Sequence, residues 1–133
     1  MSHEAAVLFA NESFYAAFLA RDIAAMTALW SAHEAICCIH PGWNAIEGHD
    51  AVMKSWASIL RSPDAPRIHC RAPRAYVYGD TAFVVCYEVI EGGVLVATNG
   101  FVREPGGWRM VHHQAGPAND LPQEPPAPPA KVH

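Results

Sequence analysis

The sequence predicts an α+β domain in which N-terminal helices pack on one face of an antiparallel sheet. Up to Leu60, apolar side chains recur at three- and four-residue spacing, which is typical of helices. After Pro66, apolar side chains recur at every second residue, and glycine turns at residues 79–80, 92–93 and 105–107 separate the runs. Helices followed by strands joined in hairpins are typical of an α+β fold.

Two helices are predicted at the start of the chain, separated at Asp22. The first has an apolar stripe without proline or glycine, formed by Val7, Leu8, Phe14, Tyr15, Phe18 and Leu19. Asp22 is a typical N-cap for the second helix, in which Ile23, Met26 and Trp30 recur at helical spacing.

A third helix is predicted after Gly48, with Asp50 as its N-cap and Pro63 as its end. Its apolar face consists of Val52, Met53, Trp56, Ile59 and Leu60. Before this helix, residues 35–40 predict a short strand, because Pro41 lacks the backbone donor that a strand needs.

Four consecutive strands are predicted over residues 67–78, 81–90, 94–103 and 108–114. The first of them should bend at Ala72 and Pro73. Because tight turns join them, they should form an antiparallel meander. We therefore place one domain over residues 1–116 and a flexible tail over residues 117–133, which holds six of the eleven prolines. A proline-rich ligand for another domain is the alternative for this tail.

The composition limits the classes of function. With 51% hydrophobic and only 17% charged residues, the chain should bury extra surface in a dimer interface or an apolar cavity. A net charge of −4 argues against binding to nucleic acid. No apolar run approaches the ~20 residues needed to cross a bilayer, and the N-terminus does not resemble a signal peptide. We expect a cytoplasmic protein without a membrane partner, in which Cys37, Cys38, Cys70 and Cys86 are buried thiols.

The most informative segment is CIHPGW at residues 38–43. It places His40 at the end of a strand, where an imidazole that titrates near neutral pH could act as a general base. A hydrogen bond to a loop carbonyl is the alternative. Trp43 is a candidate cap of a ligand pocket, because it follows the turn at Pro41 and Gly42. Trp30 and Trp56 could form apolar walls of that pocket, although both also fit core packing.

Polar residues interrupt two of the predicted strands. Glu88 shares a face with Ala82, Val84 and Cys86, and is either a pocket acid with a raised pKa or part of an ion pair at a rim or interface. Asn99 precedes Gly100, a candidate bulge, and could either satisfy a backbone group or orient a ligand oxygen.

His112 and His113 must point to opposite faces of the last strand. Strict alternation places His113 in the pocket with Arg109 and Val111, and a bulge would reverse this assignment. The outer, interface-forming face would then consist of Trp108, Met110, His112 and Gln114.

The motifs in combination resemble the nuclear transport factor 2 superfamily, and within it a SnoaL-like, ketosteroid isomerase-like branch of small bacterial proteins. The resemblance covers about residues 5–117. It rests on CIHPGW (38–43), GHDAV (48–52), GDTAF (79–83), CYE (86–88), ATN (97–99) and GWRMVHH (107–113). It implies a cone-shaped α+β fold with a curved sheet, a conical pocket, and a homodimer formed through the outer face of the sheet.

The chain departs from this resemblance in two places. Related sequences commonly end the last strand with three histidines, an alanine and a serine, whereas this chain has Gln114 and Gly116 at the third and fifth of these positions. Ketosteroid isomerase chemistry needs an acidic base and an oxyanion-binding tyrosine. Tyr15 could supply the tyrosine, but residues 31–34 contain no matching aspartate.

The predicted function is binding of a small, mostly apolar organic molecule, with cofactor-free acid–base chemistry of the isomerase, dehydratase or cyclase type. In this hypothesis His40 is the base, Glu88 or His113 is the acid, and Tyr15 and Asn99 orient the oxygen. The alternatives are a non-catalytic ligand carrier and a dimeric scaffold. No cofactor is expected, and a zinc site from His40, Glu88 and His113 lacks the short spacing of metal motifs.

Overall fold

The computed structural model describes residues 1–123. The helices are α1 (His3–Leu19), α2 (Ile23–Leu29) and α3 (His49–Arg61). The strands are β1 (Cys37–Ile39), β2 (Ile46–Glu47), β3 (His69–Tyr78), β4 (Thr81–Ile90), β5 (Gly93–Glu104) and β6 (Gly107–Ala118). The predicted α+β class is confirmed. Among these helices, none is long and apolar enough to cross a membrane.

The six strands form one sheet in the order β2-β1-β6-β5-β4-β3. The predicted antiparallel meander is confirmed for β3 to β6. The expectation of a wholly antiparallel sheet is wrong, because β1 pairs with β6 in parallel. Strand β2 has only two residues and was not predicted, since so short a segment shows no periodicity.

The helix ends follow simple capping rules with one exception. The side chain of Ser2 caps α1, and Asp22 caps α2 as predicted by accepting a hydrogen bond from the Ala25 amide at 3.0 Å. The predicted cap of α3 is wrong. Gly48 occupies the N-cap position with a φ of 90°, and Asp50 lies inside the first turn, where its charge complements the helix dipole.

Strand β3 bends where the sequence predicted. Its pairing with β4 shifts register between Arg71 and Arg74, and Ala72 has a φ of 52°, which is uncommon for a residue other than glycine. The strand begins at His69 rather than at residue 67.

A second bulge, in β6, changes the predicted faces of the sheet. Gly100 pairs with His112, whereas Phe101 pairs with Met110, so Val111 is the extra residue. Trp108 and Met110 are therefore buried in the core, and their predicted position on the outer face is wrong. Because of the bulge, His113 lies on the inner face of the sheet and Arg109 on the opposite face. Strict alternation had predicted that these two residues share a face.

The core lies between the helices and the inner face of the sheet. Helix α1 packs against β3, β4 and β6, while α3 packs against β1 and β2. Ala82, Val84, Cys86 and Glu88, which strict alternation placed on one face of β4, are all buried, so this is the inner face of the strand.

The cysteine prediction holds only in part. All four cysteines are free, but Cys37 and Cys70 are half-buried rather than buried.

Strand β6 continues to Ala118, four residues beyond its predicted end and two beyond the domain boundary proposed at residue 116. Residues 124–133 of the proposed flexible tail lie outside the described part of the chain.

Candidate functional site

A cavity of about 310 Å³ lies between α1, α3 and the inner face of the sheet. Its wall is mostly apolar, because aromatic, aliphatic and proline side chains from every layer meet there. The lining residues are Phe14, Tyr15, Phe18, His40, Pro41, Trp43, Trp56, Ile59, Pro66, Ile68, Glu88, Ile90, Leu95 and His113. Apolar cavities with a few convergent polar groups are typical of small-molecule sites.

The structure brings six of the eight predicted site residues to this cavity: Tyr15, His40, Trp43, Trp56, Glu88 and His113. The other two are buried but do not line it. Trp30 packs behind Trp56, with ring centroids 6.4 Å apart, and does not line the cavity. Asn99 is completely buried and is connected to the cavity wall through its hydrogen bonds with His113 and Tyr15.

Among the described residues, Glu88 is the single acidic side chain on the cavity wall. It is 2% exposed, and Tyr15 donates a hydrogen bond to its Oε2 at 2.6 Å. Its Oε1 is neither hydrogen-bonded within residues 1–123 nor fully buried. Burial raises the pKa of Glu88, and the hydrogen bond from Tyr15 opposes this effect in part. The cavity therefore has one carboxyl oxygen available to a ligand.

The Tyr15 hydroxyl and the buried amide of Asn99 connect this carboxyl group to His113, and the amide of Asn11 joins the same network. The Nδ2 group of Asn99 donates to Asn11 Oδ1 at 2.8 Å and to the Tyr15 hydroxyl at 3.2 Å. The Oδ1 atom of Asn99 lies 2.6 Å from Nδ1 of His113. Helix α1 and strands β4, β5 and β6 thus contribute to one continuous polar network inside the core.

His40 occupies a separate position on the wall, directly after β1. Its Nε2 lies 2.9 Å from Ser55 Oγ, and its ring lies edge-on between Trp43 and Trp56 at centroid distances of 4.8 and 4.6 Å. Trp43 is half exposed and Trp56 is buried. Trp43 therefore sits at the rim, as the prediction of a pocket cap requires.

Both cavity histidines are neutral at physiological pH. Burial lowers the pKa of His40 to about 4. Burial also lowers the pKa of His113 to about 3, with smaller contributions from the nearby His40 and His112. His112 lies on the other face of the sheet, where its Nδ1 is 3.0 Å from the sulfur of Cys37.

Sequence reasoning missed two residues that position the site. Asn11 lies on the buried stripe of α1, one turn from Val7 and from Tyr15, and is 1% exposed. Ser55 lies in the same way on the buried face of α3, beside Trp56. A polar residue at a stripe position was the available signal, since a buried polar group must find a partner.

The described residues contain no group of three or more His, Cys, Asp or Glu side chains placed to hold a metal ion. Among the same residues, the buried indole nitrogens of Trp30 and Trp56 have no hydrogen-bond partner.

A family model for the SnoaL-like domain matches residues 7–119. This range begins within α1 and includes every later helix and strand up to the end of β6. The chain belongs to the SnoaL-like domain family. In this SnoaL-like domain, Gln114 and Gly116 replace the histidine and serine that are common in related sequences. Gln114 is exposed, and neither residue lines the cavity.

Solved structures support the same assignment. A candidate dehydratase of the nuclear transport factor 2-like family from Streptomyces avermitilis is 30% identical, with a TM-score of 0.78, over 86% of this chain and 95% of that protein. A candidate association domain of a calcium/calmodulin-dependent protein kinase type II from Thiobacillus denitrificans is 32% identical, with a TM-score of 0.74, over 83% and 93% of the two chains.

Two further similarities are more limited. The hub of the corresponding kinase from S. rosetta is 22% identical, with a TM-score of 0.75, over 89% of this chain and 98% of that one, and shares the fold alone. The F-box protein SKIP8 from Arabidopsis thaliana is 28% identical over 112 residues, which is 83% of this chain and 48% of the relative. The chain thus spans about half the length of that curated relative.

Proposed function

We propose that this SnoaL-like domain binds a small, mostly apolar organic molecule in the cavity, with one polar group directed at Glu88 and His113. The observation that carries the proposal is the polar network, which reaches the wall of an otherwise apolar cavity at these two residues. The volume of about 310 Å³ is at the lower end of the usual range of about 300–1,000 Å³, which favours a molecule of one or two rings.

The chemistry that fits such a site is cofactor-independent proton transfer, of the isomerase, dehydratase or cyclase type. His113 and Glu88 are the proposed proton carriers, because each lines the cavity and has one atom without a hydrogen-bond partner among residues 1–123. Tyr15 and Asn99 act as positioning residues that hold these two groups. The likeness to a candidate dehydratase from Streptomyces avermitilis supports this class of reaction.

The proposal changes the role given to His40. Its Nε2 contacts Ser55, and its Nδ1 lies 3.9 Å from the thiol of Cys38. His40 therefore serves mainly to shape the wall between the two tryptophans, and the base of the hypothesis moves to His113 or Glu88.

The test is a ligand screen with a variant that fills the cavity. Leu95 lines the cavity, so Leu95→Trp should abolish the thermal stabilisation by any ligand that binds there. A ligand at a hundred times its dissociation constant adds roughly 2.7 kcal/mol of stability to the wild-type chain, a shift of several degrees. The matched control is Leu121→Trp, because Leu121 is 40% exposed and does not line the cavity. Equal shifts in wild type and Leu95→Trp would contradict the proposal.

A second function, that of a homodimeric scaffold, is favoured by the likeness to the kinase association domain from Thiobacillus denitrificans. The outer face of the sheet has the apolar character that a dimer interface needs. Phe83, Val85 and Tyr87 alternate along it, and Tyr76 stacks on Phe83 with ring centroids 4.8 Å apart. A scaffold does not require an open cavity. A screen without hits, combined with a stable dimer of the Leu95→Trp variant, would therefore favour this function over ligand binding.

A further inference from the structure

The hydrogen atoms around the cavity can be assigned one at a time, starting from Ser55. Its hydroxyl has a single hydrogen, which it donates to the carbonyl oxygen of Val52 at 2.7 Å. His40 Nε2 lies 2.9 Å from the same hydroxyl oxygen and must therefore be the donor in this second contact. A neutral imidazole carries one hydrogen, so Nδ1 of His40 carries a lone pair, 3.9 Å from the thiol of Cys38.

The tautomer of His113 follows from Asn99. Both hydrogens of the Asn99 amide are used, one by Asn11 and one by the Tyr15 hydroxyl. The Oδ1 atom of Asn99 can only accept, so His113 must donate to it from Nδ1, at 2.6 Å. The remaining nitrogen of His113, Nε2, consequently carries a lone pair and has no partner within residues 1–123.

Tyr15 has no hydrogen left for a ligand either. Its single hydroxyl hydrogen goes to Glu88 Oε2 at 2.6 Å, while its oxygen accepts from Asn99. When Glu88 is ionised, its Oε1 is an acceptor as well. The amide and the phenol that sequence reasoning assigned to a ligand oxygen are thus saturated by the protein.

We infer that the cavity selects molecules that donate a hydrogen bond, through an aromatic N–H or a hydroxyl group, over molecules whose only polar atom is a carbonyl or ether oxygen. This inference rests on the proposed function, since it concerns the ligand of the same cavity. Its physical reason is that His113 Nε2 and Glu88 Oε1 both present lone pairs. A carbonyl placed against these two atoms would lose its hydrogen bonds to water without gaining any, because the unpartnered indole N–H of Trp56 is itself buried in the wall.

The test compares three bicyclic probes of similar size by isothermal titration calorimetry at pH 8, where both cavity histidines are neutral, since burial lowers their pKa values to about 4 and about 3. Indole offers only an N–H donor, benzofuran replaces that group by an ether oxygen, and 1-indanone offers a carbonyl. Indole should bind about tenfold more tightly than either of the others, the worth of one hydrogen bond. His113→Asn should reduce this preference, because asparagine can keep the donor to Asn99 but lacks the second ring nitrogen.

Failure of the inference can be told apart from failure of the proposed function. Equal affinities, or tighter binding of 1-indanone, would overturn the inference while leaving ligand binding intact. No binding of any probe by the wild-type chain would overturn both. A measurement without any variant is also decisive: two-bond ¹H–¹⁵N spectra of the imidazoles should show His113 protonated at Nδ1 and His40 at Nε2. The opposite tautomer of His113 would overturn the inference.

Discussion

His113 is a buried imidazole kept neutral by its surroundings, which ties the stability of the fold to pH. It is 3% exposed, and burial lowers its pKa to about 3, with further contributions from His40 and His112. An unfolded histidine titrates near 6.5. Because the folded pKa is depressed, the unfolded chain binds more protons below pH 6.5, and stability is lost as the pH falls through this window.

We expect His113→Asn to weaken this pH dependence. Between pH 7.5 and pH 5, the free energy of unfolding of the wild-type chain should fall by about 2 kcal/mol through His113 alone. The variant should lose that contribution and retain the one from His40, whose pKa is also lowered, to about 4. Urea unfolding across this range, with near-UV circular dichroism as the control for packing, measures the difference.

Glu88 changes the stability of the fold with pH in the opposite direction to His113. The quantity to compare is therefore the difference in pH dependence between wild type and variant. Its pKa is raised, so the folded chain binds more protons than the unfolded chain above pH 4.5, and rising pH lowers stability. This contribution is common to both proteins and cancels. Identical slopes for wild type and His113→Asn would contradict a buried neutral histidine.

At the scale of the secondary-structure elements, the bulge in β6 decides which side chains reach the cavity. Val111 is the extra residue, and it allows Trp108, Met110 and His113 all to face inward. Gly100 lies opposite the bulge, paired with His112. A Cβ atom at this position would lie only 3.3 Å from Cβ of His112.

Gly100→Ala should therefore destabilise the fold by about 1 kcal/mol, through crowding against His112. The matched control is Gly116→Ala in the neighbouring strand, where an added Cβ would meet no atom within 4 Å. The control should be close to neutral. Thermal unfolding of the two variants side by side measures the effect, and equal melting temperatures would show that His112 moves freely aside.

At the scale of the whole molecule, the two faces of the sheet have different proposed tasks. The inner face closes the cavity with the helices. The outer face keeps partly exposed Phe83, Val85 and Tyr87 in one strand, and an exposed apolar patch of this kind is typical of association sites.

If the outer face forms a homodimer, light scattering coupled to size exclusion should give twice the chain mass of 14.5 kDa. Val85→Lys should convert this dimer to a monomer, because it places a charge among apolar side chains of the interface. Thr81→Lys is the control on the same strand and face, at an exposed position near the strand end. A wild-type monomer, or a dimer that survives Val85→Lys, would rule out this interface.

The sequence alone determined the fold class, the three helices and the four-stranded meander, because each depends on local periodicity and turn residues. The common face of Ala82, Val84, Cys86 and Glu88 could be predicted for the same reason, whereas only the structure decided that Glu88 is buried. The segment at residues 38–43 also placed His40 and Trp43 at one strand-to-loop corner, where their ring centroids lie 4.8 Å apart.

Only the tertiary structure decided the remainder of the site. The pairing of β1 with β6 joins segments more than seventy residues apart. The bulge at Val111 moves Trp108 and Met110 to the inner face, whereas strict alternation had placed them on the outer face. The hydrogen-bond partners of Asn11, Asn99 and Tyr15 lie on different elements. Spacing along the chain therefore cannot show that the protein itself uses their hydrogen-bond donors. Periodicity specifies which face of an element is buried, whereas the direction of each hydrogen bond depends on which neighbours the fold brings within reach.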